Sequence, residues 1–501
     1  MIKKLLLFFL VVLMAGPVLE SKPRRFSGRV TCAGKAVSGV PVTDGRSVVT
    51  TDINGRYRID SDDEVEFVYV SVPSGYVVPS RNHSSCFYRC VSSCDGSVAR
   101  FVDFELKRDS LDQDKHMFMY WADIQVYDEG ELSYVKKAAK DAAELVRSYG
   151  DMPAFIISGG DMIAEWTHTP SLFMPVADAV AESGLSMYNV LGNHDIETDA
   201  RSNDGCRKVF KSLFGPTYYS FNRGKIHYVV LDNVFFLARG YQYVGYIEER
   251  QLRWLEQDLK YVPEGSTIVV SMHIPSFSRE ARRQDWGKEE LNKITCNRSA
   301  LYEILKPYNV HLCTAHEHYG ENYVLSDGLF EHVHPPLSGL FWQSLLSCDG
   351  IPWGYMVYEV DGSDIRWYYK AVGKERNSQF SVYPVGTDPM RPESVVVNVW
   401  NYDSGWKVCW YEDGIYKGEM VRYRGWDRAV CEDVELRREK EFRWKYIGAG
   451  ETEHLFYAVP SNPAATVRIE VTDRFGVVYS ATTEAEAASG QCQTLSERQV
   501  R

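Results

Sequence analysis

A chain of 501 residues, 45% hydrophobic and 25% charged, exceeds what a single hydrophobic core serves and divides into two to four folded domains. No biased or repeated segment is long enough for a disordered or solenoid protein. The formal net charge of -12 argues against a surface that coats nucleic acid, which rests on clustered Lys and Arg, so a phosphate site here must draw positive charge from something local such as bound metal.

In chain order, Lys3 and Lys4 precede an apolar run over 5–15, then Gly16 and Pro17, the layout of a secretory signal peptide over residues 1–20. The run is too short to span a bilayer, and no cysteine before Cys32 offers an acylation site. Export to a periplasmic or extracellular space is expected, with no transmembrane segment after signal removal. Eleven cysteines in an exported chain permit disulfides; Cys86, Cys90 and Cys94 are close enough for one pair to form locally or with Cys32, and the odd count leaves one over. Their even spacing does not match the paired spacing of a zinc ribbon.

Over 26–107 short β-type runs alternate with turn residues, as in 28–30, 39–42, 48–51, Asn54-Gly55 and 57–59. This is the pattern of a small β-sandwich. Thr51-Asp52, Gly55 and Tyr57 resemble the carboxypeptidase-regulatory-like modules that precede many exported enzymes. Over 115–372 the pattern changes: continuous apolar runs at 117–121, 154–158, 187–191, 226–231, 267–272 and 310–313 read as buried strands. Between them, 134–148 and 249–261 carry apolar residues on one helical face. Strand and helix alternating in this way predict a layered α/β domain with helices outside.

Pro384, Pro389 and Pro392 punctuate a polar linker. Over 392–485 the runs 394–400, 406–411, 467–471 and 477–479 predict a second all-β sandwich, with a hairpin turn at 473–476. The charged run 432–445 reads as a solvated face or loop.

Five polar motifs sit where the apolar strands of the central domain end, the place at which open α/β sheets bind ligands. They are Asp123-Ile-Gln125, Gly160-Asp161, Gly192-Asn193-His194-Asp195, His273 within Ser271-Met-His-Ile-Pro275, and His316-Glu-His318. Alone, each is ordinary: Gly-Asp is a common turn, and a single histidine is usually a satisfied core residue. Asp195 and Glu317 aside, together they supply two carboxylates, two amides and four histidines, and seven of those eight groups suit divalent cations.

In this order the motifs resemble the calcineurin-like metallophosphoesterase superfamily, whose signature runs Asp-x-His, Gly-Asp, Gly-Asn-His-Asp or Glu, His, and Gly-His-x-His. The resemblance implies two divalent metal ions. Asp123, Gln125, Asp161 and His318 would surround one, Asp161, Asn193, His273 and His316 the other, with Asp161 bridging because two nearby cations repel unless an anion lies between them. It further implies a metal-activated hydroxide as nucleophile, His194 as stabiliser of phosphoryl charge or acid for the leaving group, and Asp195 as the residue that holds His194. Two positions depart from the signature. Gln125 replaces histidine, an exchange that favours Mn or Fe over Zn or else loosens the first site, and Ala315 replaces the glycine before His316.

The segments 338–342 and 349–355 resemble a stretch of exported bacterial members that carry the same flanking modules. Trp342, His168, Tyr319 and His332 are candidates for substrate contact or for core packing. The expected function is hydrolysis of phosphate monoesters or diesters, on a small-molecule or envelope-associated substrate, by residues that lie between two sandwiches; 108–374 alone is expected to suffice for small substrates. The competing reading is an inert protein that contacts a glycan or the cell surface through its sandwiches. A nuclease is disfavoured because no basic stripe accompanies the motifs.

Overall fold

The computed structural model describes residues 24–61, 65–91, 100–150, 152–167, 169–285 and 287–483. The expected signal peptide, Cys94, His168 and the last residues of the C-terminal domain lie outside the described residues.

The central apolar runs become strands because both of their faces are covered. The strands used below are β1 (Lys115–Trp121), β2 (Ala154–Ser158), β3 (Ser186–Asn189), β4 (Thr267–Ser271) and β5 (Asn309–Thr314). In β1, Phe118 and Tyr120 face a second sheet, while Met117, Met119 and Trp121 face helix α1 (Leu132–Ser148) through Val135, Ala138, Ala139 and Ala142. Parallel β1, β2 and β3 lie in one sheet with the antiparallel pair Gly354–Asp361 and Asp364–Ala371. The other sheet runs Tyr219–Arg223, Ile226–Val230, β4, β5, Leu329–Val333, Glu321–Ser326. Helices α1 and α2 (Phe173–Ala181) cover the first sheet, and α3 (Glu249–Asp258) and α4 (Arg298–Leu305) the second. The result is the layered α/β sandwich that the run lengths predicted.

Ahead of it, Arg24–Cys32 pairs with Arg56–Ser61 and Phe104–Arg108, and a four-stranded sheet packs beside them. This β-module joins the first sheet of the central domain directly: Ser84 pairs with Met187, and Asn189 Nδ2 donates to Ser84 Oγ at 2.7 Å. Neither alternative expected for the cysteines of this module, a local pair or one with Cys32, forms among Cys32, Cys86 and Cys90, which all carry free thiols. No helix among the described residues is long and apolar enough to cross a membrane.

Beyond residue 379, two four-stranded sheets form the C-terminal sandwich around Val397, Val399, Trp410 and Ile469. Within it, the charged run at 432–445 is not a loop but most of helix α5 (Arg428–Glu441), whose first turn is closed by Asp427 accepting from Val430 N–H at 3.2 Å. Val430, Val434, Phe442 and Ile447 then share a core with Leu340, Phe341 and Leu346 of the preceding domain. Covering Leu340 and parts of its neighbours corresponds to about 3–5 kcal/mol. A fragment ending at Lys374 is therefore expected to melt well below the full chain and to bind an apolar dye, in contrast with the independence expected from the sequence; equal melting temperatures would rule out this structural dependence.

Candidate metal centre

Asp123 and Gln125 follow β1, Asp161 follows β2, the triplet Asn193, His194 and Asp195 follows β3, His273 follows β4, and His316 and His318 follow β5. The parallel strands thus deliver every expected site residue to one edge of the sandwich. Thirteen non-glycine residues among those described have positive φ, and five are ligand candidates: Asp123 (45°), Gln125 (44°), Asp161 (54°), His316 (72°) and His318 (62°). Such conformations cost about 1–3 kcal/mol each and persist where the surroundings hold them. Gly192 permits a close approach to the second motif, for a Cβ there would stand 2.1 Å from Asp161 Oδ1. Ala315 needs no glycine, because the left-handed residue is His316.

The side chains fall into two overlapping groups. In one, Asp161 Oδ2 lies 3.3 Å from His273 Nε2, which stands 3.0 Å from Asn193 Oδ1 and 3.2 Å from His316 Nδ1. Ligand atoms of Asp161, His273 and His316 all lie within 4.8 Å of one another. In the other, His318 Nε2 lies 3.5 Å from Asp123 Oδ1, and Gln125 Nε2 lies 3.2 Å from Asp161 Oδ2. With its nitrogen toward Asp161, Gln125 is a donor. Turned over, its oxygen joins the carboxylate in facing a cation, and its NH2 meets Ser338 Oγ, whose one proton already goes to Asp123 O at 2.8 Å.

The donor set fits metal. His273 Nδ1 is 2.8 Å from Gly159 O and His316 Nε2 is 2.9 Å from Asn292 O, so each carbonyl takes a ring N–H. The remaining nitrogens then face each other as lone pairs at 3.2 Å, which only a proton or a cation between them can satisfy. Asp123 Oδ1 is likewise buried without a hydrogen-bond partner. Electrostatics agree: burial opposes charge on His273, yet the Asp161 carboxylate raises it to about 9, while burial holds His316 well below the usual imidazole range. Asp161 is held low by His273 and His194 despite its burial.

His194 lies outside both groups, one-third exposed, with Nε2 3.9 Å from Asp161 Oδ2 and its backbone N–H donating to Asp161 Oδ1 at 2.8 Å. The expected hold of Asp195 on His194 needs correction. Asp195 accepts from the backbone N–H groups of Asp161 (2.8 Å), Met162 (2.9 Å) and Gly192 (2.9 Å), so it ties the second and third motif loops together. Burial and the Asp161 charge push its carboxyl up, opposed by those donors.

The substrate candidates fare differently. Trp342 is buried, donates to Ile124 O at 2.8 Å and stacks on Tyr134; Tyr319 is buried beneath Arg283; His332 is buried between His311 and Asn322. All three are packing residues because no face is left for a ligand. Ser338 opens the segment 338–342 marked by resemblance, whereas nothing in the spacing pointed to Arg443, a C-terminal-domain residue that pairs with Asp128 (2.6 Å) and Glu131 (3.1 Å) just past Gln125.

Three family models match successive parts of the chain: the N terminal of calcineurin-like phosphoesterase over 24–109, calcineurin-like phosphoesterase over 117–320, and the C terminal of calcineurin-like phosphoesterase over 331–479. No curated protein matches it. Similar solved structures include a dimetal phosphatase from Danio rerio, 14% identical over 52% of this chain and 97% of that one, with a TM-score of 0.36. The inner-membrane-complex anchor of Plasmodium is 13% identical over 52% and 86%, with a TM-score of 0.36. A 5'-nucleotidase from Candida albicans is 9% identical over 51% and 50%, with a TM-score of 0.31.

Proposed function

Since this chain belongs to the calcineurin-like phosphoesterases and is a metal-dependent phosphoric ester hydrolase, we propose that it cleaves phosphate monoesters or diesters at a pair of divalent cations, Mn, Fe or Zn. Asp123, Gln125, Asp161 and His318 would hold the first cation; Asp161, Asn193, His273 and His316 would hold the second. The observation that carries this reading is the pair of imidazole nitrogens facing each other at 3.2 Å with both outer nitrogens committed to carbonyls. When bound, two cations supply the charge that ionises a water near neutrality and neutralises phosphoryl oxygens.

The chain does the rest. Gly159 O and Asn292 O fix the two tautomers, so that His273 offers Nε2 and His316 offers Nδ1. Asp195 keeps the Asp161 and Gly192 loops at one spacing. His194, outside the ligand sets and partly open to solvent, donates a proton to the leaving oxygen.

The test is hydrolysis of p-nitrophenyl phosphate and bis-p-nitrophenyl phosphate by purified protein, with metal content measured on the same sample. Chelation should abolish turnover of either ester, and Mn or Zn should restore it. Full-rate hydrolysis by protein shown to hold no metal would overturn the proposal.

A further inference from the structure

The segment that carries the last two ligands alternates in what it touches. His316 and His318 point to the metal groups, whereas Glu317, Tyr319 and Glu321 all meet one side chain, Arg283, from the short helix Glu280–Arg283. Arg283 Nη2 donates to Glu317 Oε2 at 2.6 Å and Nη1 to Glu321 Oε1 at 2.5 Å, and the guanidinium carbon lies 3.9 Å over the Tyr319 ring. The contact is dry: the Arg283 side chain is 1% exposed and that of Glu317 is 0%. A planar fork with two carboxylates in its plane and a ring on its face cannot be reproduced by a point charge.

We propose that Arg283 is a positioning residue for both cations, the clamp that holds the His316-Glu317-His318 turn in its strained form. Both ligands in that turn have positive φ, a conformation that a relaxed chain leaves. Glu317 lies between them, so its pull toward Arg283 sets how far each imidazole reaches forward. Tyr319 is pinned on its other side, where a Cβ on Gly450 would stand 1.9 Å from its hydroxyl oxygen. The helix bearing Arg283 is itself tied to the C-terminal sandwich by Arg279 Nη1 and Glu453 Oε2 at 3.0 Å, with Arg282 Nη2 3.4 Å from Glu453 Oε1. The clamp therefore connects that sandwich to the metal ligands without touching a metal.

This inference rests on the reading of His316 and His318 as ligands to two cations, and the experiment separates the two claims. Metal-free wild type and Arg283→Met are titrated with Mn by calorimetry, and the melting temperature of each metal-free protein is recorded. Arg283→Met should bind both cations about 10- to 100-fold more weakly, the usual cost of losing a group that orients a ligand. Saturating Mn should bring kcat back near wild type while the Mn concentration for half activity stays raised. A residue that only supports the fold would lower the metal-free melting temperature and leave both affinities alone, and that result would overturn the proposal.

Should Arg283→Met fail to fold because two carboxylates are left buried and unpaired, the triple variant Arg283→Met, Glu317→Gln, Glu321→Gln removes those charges. It should show the same loss of affinity, and wild-type affinities in it would overturn the proposal equally. If wild type itself binds no divalent cation, the metal reading falls and this inference with it.

Discussion

Asp161→Ala is expected to release one or both cations and to cut turnover about 1,000-fold or more, because its carboxylate stands in both ligand sets. Its Oδ2 lies 3.3 Å from His273 Nε2 and 3.2 Å from Gln125 Nε2, and its Oδ1 accepts from His194 N–H. Two cations at the roughly 3.5–4 Å spacing of such sites repel strongly, and a single bridging anion is what lets them coexist. Metal chemistry contributes several kcal/mol to barrier lowering, and each 1.36 kcal/mol is about tenfold in rate. Asp161→Asn keeps the shape and an acceptor for His194 N–H but removes the charge, so it should lose metal as well. Elemental analysis beside the hydrolysis assay decides the matter: either variant retaining two tightly bound cations would show that Asp161 is not the bridge.

His194→Ala should behave in the opposite way, keeping near-normal metal content while turnover falls about 100- to 10,000-fold, the usual range for general acid catalysis. Nε2 of His194 is 3.9 Å from the nearest Asp161 oxygen and belongs to neither ligand group, so its loss leaves the donor set whole. The defect should also depend on the leaving group. An alkoxide of high pKa needs a proton more than a nitrophenolate does, so alkyl esters should suffer more than activated aryl esters. Equal losses on both would reduce His194 to an electrostatic stabiliser of the phosphoryl group. Metal loss matching that of Asp161→Ala would instead make it a ligand.

Much of the fold was legible because its signals are local. Runs such as 155–157 and 268–270 are apolar at every position, as in a strand covered on both faces, and the structure places strands there. The ligand candidates were legible for a related reason, since a parallel strand releases its chain at a fixed edge and polar residues just past five such strands must meet. The run at 432–445, expected as a solvated face or a loop, proves to be the solvated face of a helix up to Glu441, and it shows where local signals end. Helix α5 buries only Val430 and Val434 along its own length, too little apolar periodicity to stand out from a solvated stretch.

What the sequence by itself determined is the layered α/β core, its β-rich flanks, and the identity and order of the groups that could hold metal. The tertiary structure alone decided how those groups are held. Asp195 was expected to serve its neighbour His194, yet its oxygens accept from the amides of Asp161 and Met162, more than thirty residues away, as well as from nearby Gly192. Arg443 reaches Glu131 across 312 positions, and Arg283 meets Glu317 across 34. Tyr319, Trp342 and His332 have ordinary polar or aromatic identities, and only their burial marks them as packing. The physical reason is one of range: hydrophobic periodicity and strand-end chemistry act over a few residues and are written in spacing, whereas the partner of a buried charge is set by which surfaces the folded layers press together.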